Sequence, residues 1–112
     1  MSAINWTDCI KQSNNKPDLA QELLDMLNLE LPEFQQSLSQ ALQTNDLKQL
    51  QFITHKLHGA CCYCGANDLK KTLLSLEGKI KHLTTDEIKT SIAKVQHEIL
   101  RLQTSLKNKD YL

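Results

Sequence analysis

Ile88, Ile92, Val95, Ile99, Leu102 and Leu106 recur at alternating spacings of four and three residues. That period lays all six along one stripe of an α-helix and is the seam a helical bundle needs. A half-buried strand would need alternation by two. Just before the stripe, Thr84 to Glu87 fits the S/T-x-x-E capping box, with Leu83 and Ile88 flanking it as a hydrophobic staple. A helix with a single apolar stripe must bury it against other elements. The first question is therefore whether the rest of the chain supplies matching helices.

It supplies four more. Asn5 can cap a short first helix carrying Trp6, Cys9 and Ile10, broken by Ser13-Asn14-Asn15-Lys16. Pro17 suits the first turn of a second helix, whose apolar residues are Leu19, Leu23, Met26, Leu27, Leu31, Phe34, Leu38 and Leu42. Pro32 interrupts this run, but the period continues in phase beyond it, which predicts a kink rather than an end. Thr44-Asn45-Asp46 is a stop-and-cap signal. The third helix then carries Leu47, Leu50, Ile53, Leu57, Ala60, Cys61 and Cys64 on one face, with Gly65 at or just past its end. Asn67 can cap a fourth helix with the stripe Leu69, Leu73, Leu76, Ile80 and Leu83, within which Gly78 is a weakness.

Short connections make successive helices antiparallel neighbours. The expected fold is all-α: an up-down antiparallel four-helix bundle with a short additional N-terminal helix, with residues 1–112 as one domain. Composition agrees. Three glycines and two prolines are too few for a turn-rich β-sandwich, and 4% aromatic residues imply an aliphatic core.

Thirteen basic residues balance thirteen acidic ones, which argues against nucleic acid as the main partner, because phosphate binding needs a basic surplus. The beginning, MSAINWTDCIKQ, lacks the apolar stretch of a secretory signal. No run approaches the ~18 apolar residues of a membrane span. The expectation is a cytoplasmic domain without direct membrane contact, with its four cysteines reduced. The alternative is a soluble piece of a larger, membrane-attached protein.

The third helix holds the candidate chemistry. On a wheel of 100° per residue its stripe centres near Ile53, Leu57 and Cys64, and His55 falls nearly opposite. Lys48, Phe52, Gly59 and Cys62 share the outward side. Gly59 lies four residues after His55, on the same face, and a mid-helix glycine costs roughly 1 kcal/mol relative to alanine. That cost implies a close approach to the backbone beside His55. A neutral imidazole near pH 7 is a nucleophile able to take a phosphoryl group.

The run His55-Lys56-Leu57-His58-Gly59-Ala60-Cys61-Cys62-Tyr63-Cys64-Gly65 resembles the histidine phosphotransfer (HPt) signature, H-x-L-[K/R]-G-[S/A]-x4-[G/A]. Together with the lead-in Ile4-Asn5-Trp6 and Lys16-Pro17-Asp18-Leu19-Ala20, it looks most like the HPt domains at the C-termini of BarA/GacS-type hybrid sensor kinases. The resemblance implies a phosphorelay intermediate without autokinase activity. His55 would take a phosphoryl group from an aspartate of one receiver domain and pass it to an aspartate of a response regulator. Consistent with this, the chain has no GxxxxGK[ST] loop. The domain itself would bind no cofactor, Mg²⁺ being expected on the partner receiver. Partners would be transient and the domain monomeric.

The same resemblance assigns roles. Gly59 would leave room for the phosphoryl group and the receiver's loops. Lys56 could screen phosphoryl charge. Glu77, level with His55 when counted outward from the turn at Gly65-Ala66, could orient the imidazole through its second nitrogen. His58 departs from the usual Lys or Arg and would carry only a fractional charge near neutral pH. Phe52, Gly59 and Cys62 would contact the docked receiver. The alternative is a non-catalytic helical interaction module in which His55 is incidental. A Cys/His metal site built from Cys61, Cys62, Cys64 and His58 is weaker, because Cys61 and Cys64 fall on the apolar stripe and structural zinc sites usually pair two ligand clusters, whereas Cys9 and His82 stand isolated. A Cys–His enzyme lacks the long loops that would build a substrate site.

Overall fold

Every capping signal but one starts a helix. Asn5 accepts from the Asp8 N–H at 3.1 Å and opens α1 (Trp6–Gln12). Pro17 is the first residue of α2 (Pro17–Gln43). Asp46 accepts from the Gln49 N–H and opens α3 (Leu47–Cys64). Thr84 and Glu87 form both halves of the capping box at the head of α5 (Thr85–Asn108). The exception is α4 (Asn67–Leu76), whose cap is Ala66, with no side-chain bond. Asn67 instead donates its amide to Asp8 at 2.9 Å, tying the start of α4 to α1. The computed structural model describes residues 2–112; Met1, the first residue of the expected 1–112 domain, lies outside them.

α2 packs on α3, α3 on α4, α4 on α5, and α5 returns to α2, so the four helices close a ring around one core. α1 lies across α2 and α3. The 27 residues of α2 span about 40 Å at ~1.5 Å per residue, which accounts for the 42 Å long axis of the molecule. Ile88, Ile92, Val95, Ile99, Leu102 and Leu106 are all buried, as the α5 stripe requires. They meet Leu24, Leu31 and Leu38 of α2, Leu50 and Leu57 of α3, and Leu69 and Leu73 of α4 within the same core. Among the described residues there is no strand.

The capping box gives a direct test. Thr84→Ala is expected to lower stability by about 1 kcal/mol, read as a lower urea midpoint at unchanged slope. The backbone N–H of Thr84 also holds the Glu87 carboxyl below its usual range. That contribution is present above the ordinary glutamate value and is lost as pH falls through the lowered one.

Three expectations need correction. The first half of α2 is rotated by one residue: Ala20 and Leu24 are buried, Leu19 and Leu23 are half-buried, and Met26 is 57% exposed. The cause is α1, which crosses here with Cys9 Sγ 3.9 Å from the Ala20 carbonyl, so the crossing point takes the small side chain. At the far end Ala41 is buried in place of Leu42. The fourth helix stops at Leu76 instead of reaching Leu83. Gly78 then takes φ 79°, a left-handed turn rather than a weak point in a helix, and a 3₁₀ turn at Ile80–His82 returns Ile80 to the core. In α3 the stripe gains Thr54, buried with its hydroxyl on the Leu50 carbonyl at 2.9 Å. As expected, α2 does not end at Pro32.

Candidate phosphotransfer site

His55 stands at the middle of α3 between two buried neighbours. Thr54 is bonded to the helix backbone and Leu57 is fully enclosed. They fix the rotation of α3, and the His55 side chain is left 78% exposed. Gly59 follows one turn later, and a Cβ built there meets nothing within 4 Å. Among the described residues the space beside His55 on this face is open. Phe52, one turn earlier, is 62% exposed.

Glu77 comes from the other side of the α3–α4 hairpin. It is the C-cap of α4, with an extended backbone at φ −60° and ψ 132° and its N–H on the Leu73 carbonyl. The carboxylate reaches back to α3. Oε1 lies 2.7 Å from His55 Nδ1 and Oε2 lies 3.2 Å from His58 Nδ1. An ionised carboxylate only accepts, so both Nδ1 atoms carry their protons. In the neutral form of the ring, His55 Nε2 then keeps its lone pair.

Lys56 turns the other way, its Nζ 5.9 Å from the centre of the Phe34 ring in a shallow groove shared with Glu30, Glu33 and Phe52. Phe34 belonged to the expected core stripe, and its ring edge on this groove was not legible from periodicity. His58 is only 19% exposed and faces Glu77 rather than solvent. Cys62 is half-buried, its Sγ 4.0 Å from His58 Nε2. Cys61 and Cys64 are buried, and that burial pushes both thiols up to about 12, keeping them protonated. Gly65, grouped with His55 by the sequence motif, has a different duty. It ends α3 at φ 63°, its carbonyl accepts from the Asn5 N–H at 2.8 Å, and a Cβ there would fall on the Asn5 carbonyl oxygen.

The Hpt domain family matches residues 22–108. This chain belongs to the Hpt domain family. The Hpt domain is 30% identical over 86 residues to the signal transduction histidine-protein kinase BarA of Escherichia coli K12 and of Shigella flexneri, covering 77% of this chain and 9% of each relative. It is 28% identical over 104 residues to the sensor histidine kinase GacS of Pseudomonas protegens, covering 88% of this chain and 11% of that one. The chain thus spans about a tenth of the curated relatives it matches. The crystal structure of the HPT domain of a sensor hybrid histidine kinase from Shewanella superposes with a TM-score of 0.87 at 31% identity, covering 96% of this chain and 92% of that one. The family is that of histidine phosphotransfer in phosphorelays, and the four-helix architecture of the Hpt domain is the one derived above.

Proposed function

We propose that His55 is the phospho-acceptor and that the domain carries a phosphoryl group from the aspartate of one receiver domain to the aspartate of another. The observation that carries this reading is the His55–Glu77 pair. The pair holds the ring proton on Nδ1, so Nε2 presents its lone pair to solvent beside the bare backbone of Gly59. Nε2 attacks phosphorus, the N–P bond forms, and the bond to the receiver's aspartyl oxygen breaks. The ring gains positive charge as it does so, and the Glu77 carboxylate stands 2.7 Å away to balance it. The reverse steps deliver the group to the next receiver. The domain supplies a positioned nucleophile, and Mg²⁺ belongs to the receiver, where it offsets phosphoryl charge.

Phe52 and Gly59 form the exposed path on which a receiver docks, with Cys62 at its inner edge. Lys56, over Phe34, sets a positive charge at the groove beside that path. The partnership is transient and the domain works as a monomer in the cytoplasm. Among the described residues no helix is long and apolar enough to cross a membrane.

The test is to incubate the domain with a phosphorylated receiver and Mg²⁺. Acid-labile, base-stable phosphate on the domain is the expected result. No transfer from several receivers, with the helices intact by circular dichroism, would return the protein to the interaction-module reading. Docking has its own test. Gly59→Glu places a charged side chain in the open space and is expected to raise the receiver concentration for half-maximal transfer by about tenfold, equivalent to ~1.4 kcal/mol, with an unchanged circular dichroism spectrum.

A further inference from the structure

Glu77 sits where its own backbone does little to fix its side chain. α4 has ended, the residue is extended, and Gly78 beyond it turns at φ 79°. Two donors define where the carboxylate points, and they differ in kind. His55 is 78% exposed, with solvent on most of its ring, whereas His58, three residues on along the same helix face, is 19% exposed and sheltered by the fold. Only the sheltered ring can serve as an anchor.

We infer that His58 is a positioning residue for phosphotransfer: its Nδ1–H holds Oε2 of Glu77 and so keeps Oε1 against Nδ1 of His55. The inference rests on His55 being the acceptor and extends that site inward by one residue. The direction of the hydrogen bonds is consistent throughout. The carboxylate accepts from both Nδ1 atoms, which leaves His58 Nε2 as an acceptor, and the Cys62 thiol lies 4.0 Å from it as the available donor. A free neutral imidazole side chain favours its proton on Nε2, so the shared carboxylate holds both rings in the less common tautomer. A lysine or arginine at position 58 could meet Glu77 as a charge, but could not pass a fixed tautomer along the chain Cys62–His58–Glu77–His55.

The tautomer of His55, read by two-bond nitrogen–proton NMR on the histidine-labelled domain, tests this together with the transfer rate. Wild type is expected to show the Nδ1–H form at His55. His58→Ala, and His58→Leu as a bulkier variant without a donor, should move His55 toward the Nε2–H form. Both should slow transfer about tenfold, as loss of an orienting partner does, without changing the receiver concentration for half-maximal rate. His58→Asn, whose amide nitrogen falls near the place of Nδ1, should restore both readouts. Wild-type tautomer and rate in the donor-less variants would overturn the inference, and so would a loss that Asn does not restore, since that would be packing alone. Failure of the acceptor reading shows separately, as a wild-type domain that takes no phosphate whatever the tautomer of His55.

Discussion

His55→Gln is expected to reduce phosphate uptake from a phosphorylated receiver to background while leaving the fold untouched. Glutamine keeps an N–H donor for Glu77 and a similar size, but its amide has no nucleophilic ring nitrogen. The native side chain is 78% exposed and, among the described residues, its polar partner is Glu77. The substitution should therefore change stability by no more than about 0.5 kcal/mol, and the urea midpoint and circular dichroism should match wild type. Labelled phosphate persisting on this variant would move the acceptor to another ring. His82 and His97 are exposed, and His58 is sheltered behind Glu77. Uptake lost along with the helices would speak only of folding, so the two measurements belong together.

Gly65→Ala is expected to lower stability by about 3 kcal/mol, of which roughly 1–2 is the left-handed backbone imposed on a residue with a Cβ. The remainder comes from α1. The added carbon would land on the Asn5 carbonyl oxygen, which is backbone and cannot rotate away, so the start of α1 must lift from the end of α3. That loosens the burial of Ala3, Ile4 and Cys9. Trp6, with its ring 5.3 Å from that of Tyr111, reports the event by a red-shifted emission ahead of the main urea transition. Transfer measured where the variant is still folded should persist, because α3 around His55 is held by Thr54 and Leu57 rather than by Gly65. A wild-type urea midpoint would refute the close approach, and selective loss of transfer in a stable variant would give Gly65 a part in transfer itself.

Sequence periodicity and the tertiary structure divide the account of this site. Two residues on α3 show how much was local. Leu57 inward and His55 outward follow from 100° per residue, and the structure leaves Leu57 enclosed and His55 exposed. Gly59 was recognisable as a missing side chain on that outward face, and Phe52 as an exposed ring. The glycine at 65 was visible in the motif but its reason was not, because Asn5 lies sixty residues away along the chain. The cysteines read correctly as buried apolar residues at 61 and 64, while Cys62 needed the position of His58 to acquire a neighbour.

By itself the sequence determined the helices, the starts of four of the five and most of the faces they bury. Each depends on residues within one or two turns of one another, where the spacing of side chains is set by the backbone's own geometry. Only the tertiary structure decided where α4 stops, how the head of α2 is rotated under α1, and that Glu77 joins His55 and His58. A stripe continues in phase whether its helix runs on or breaks at Gly78. The choice was made by the return of Ile80 to the core, and that same break frees Glu77 from the helix and aims its carboxylate at a ring twenty-two residues earlier in the chain.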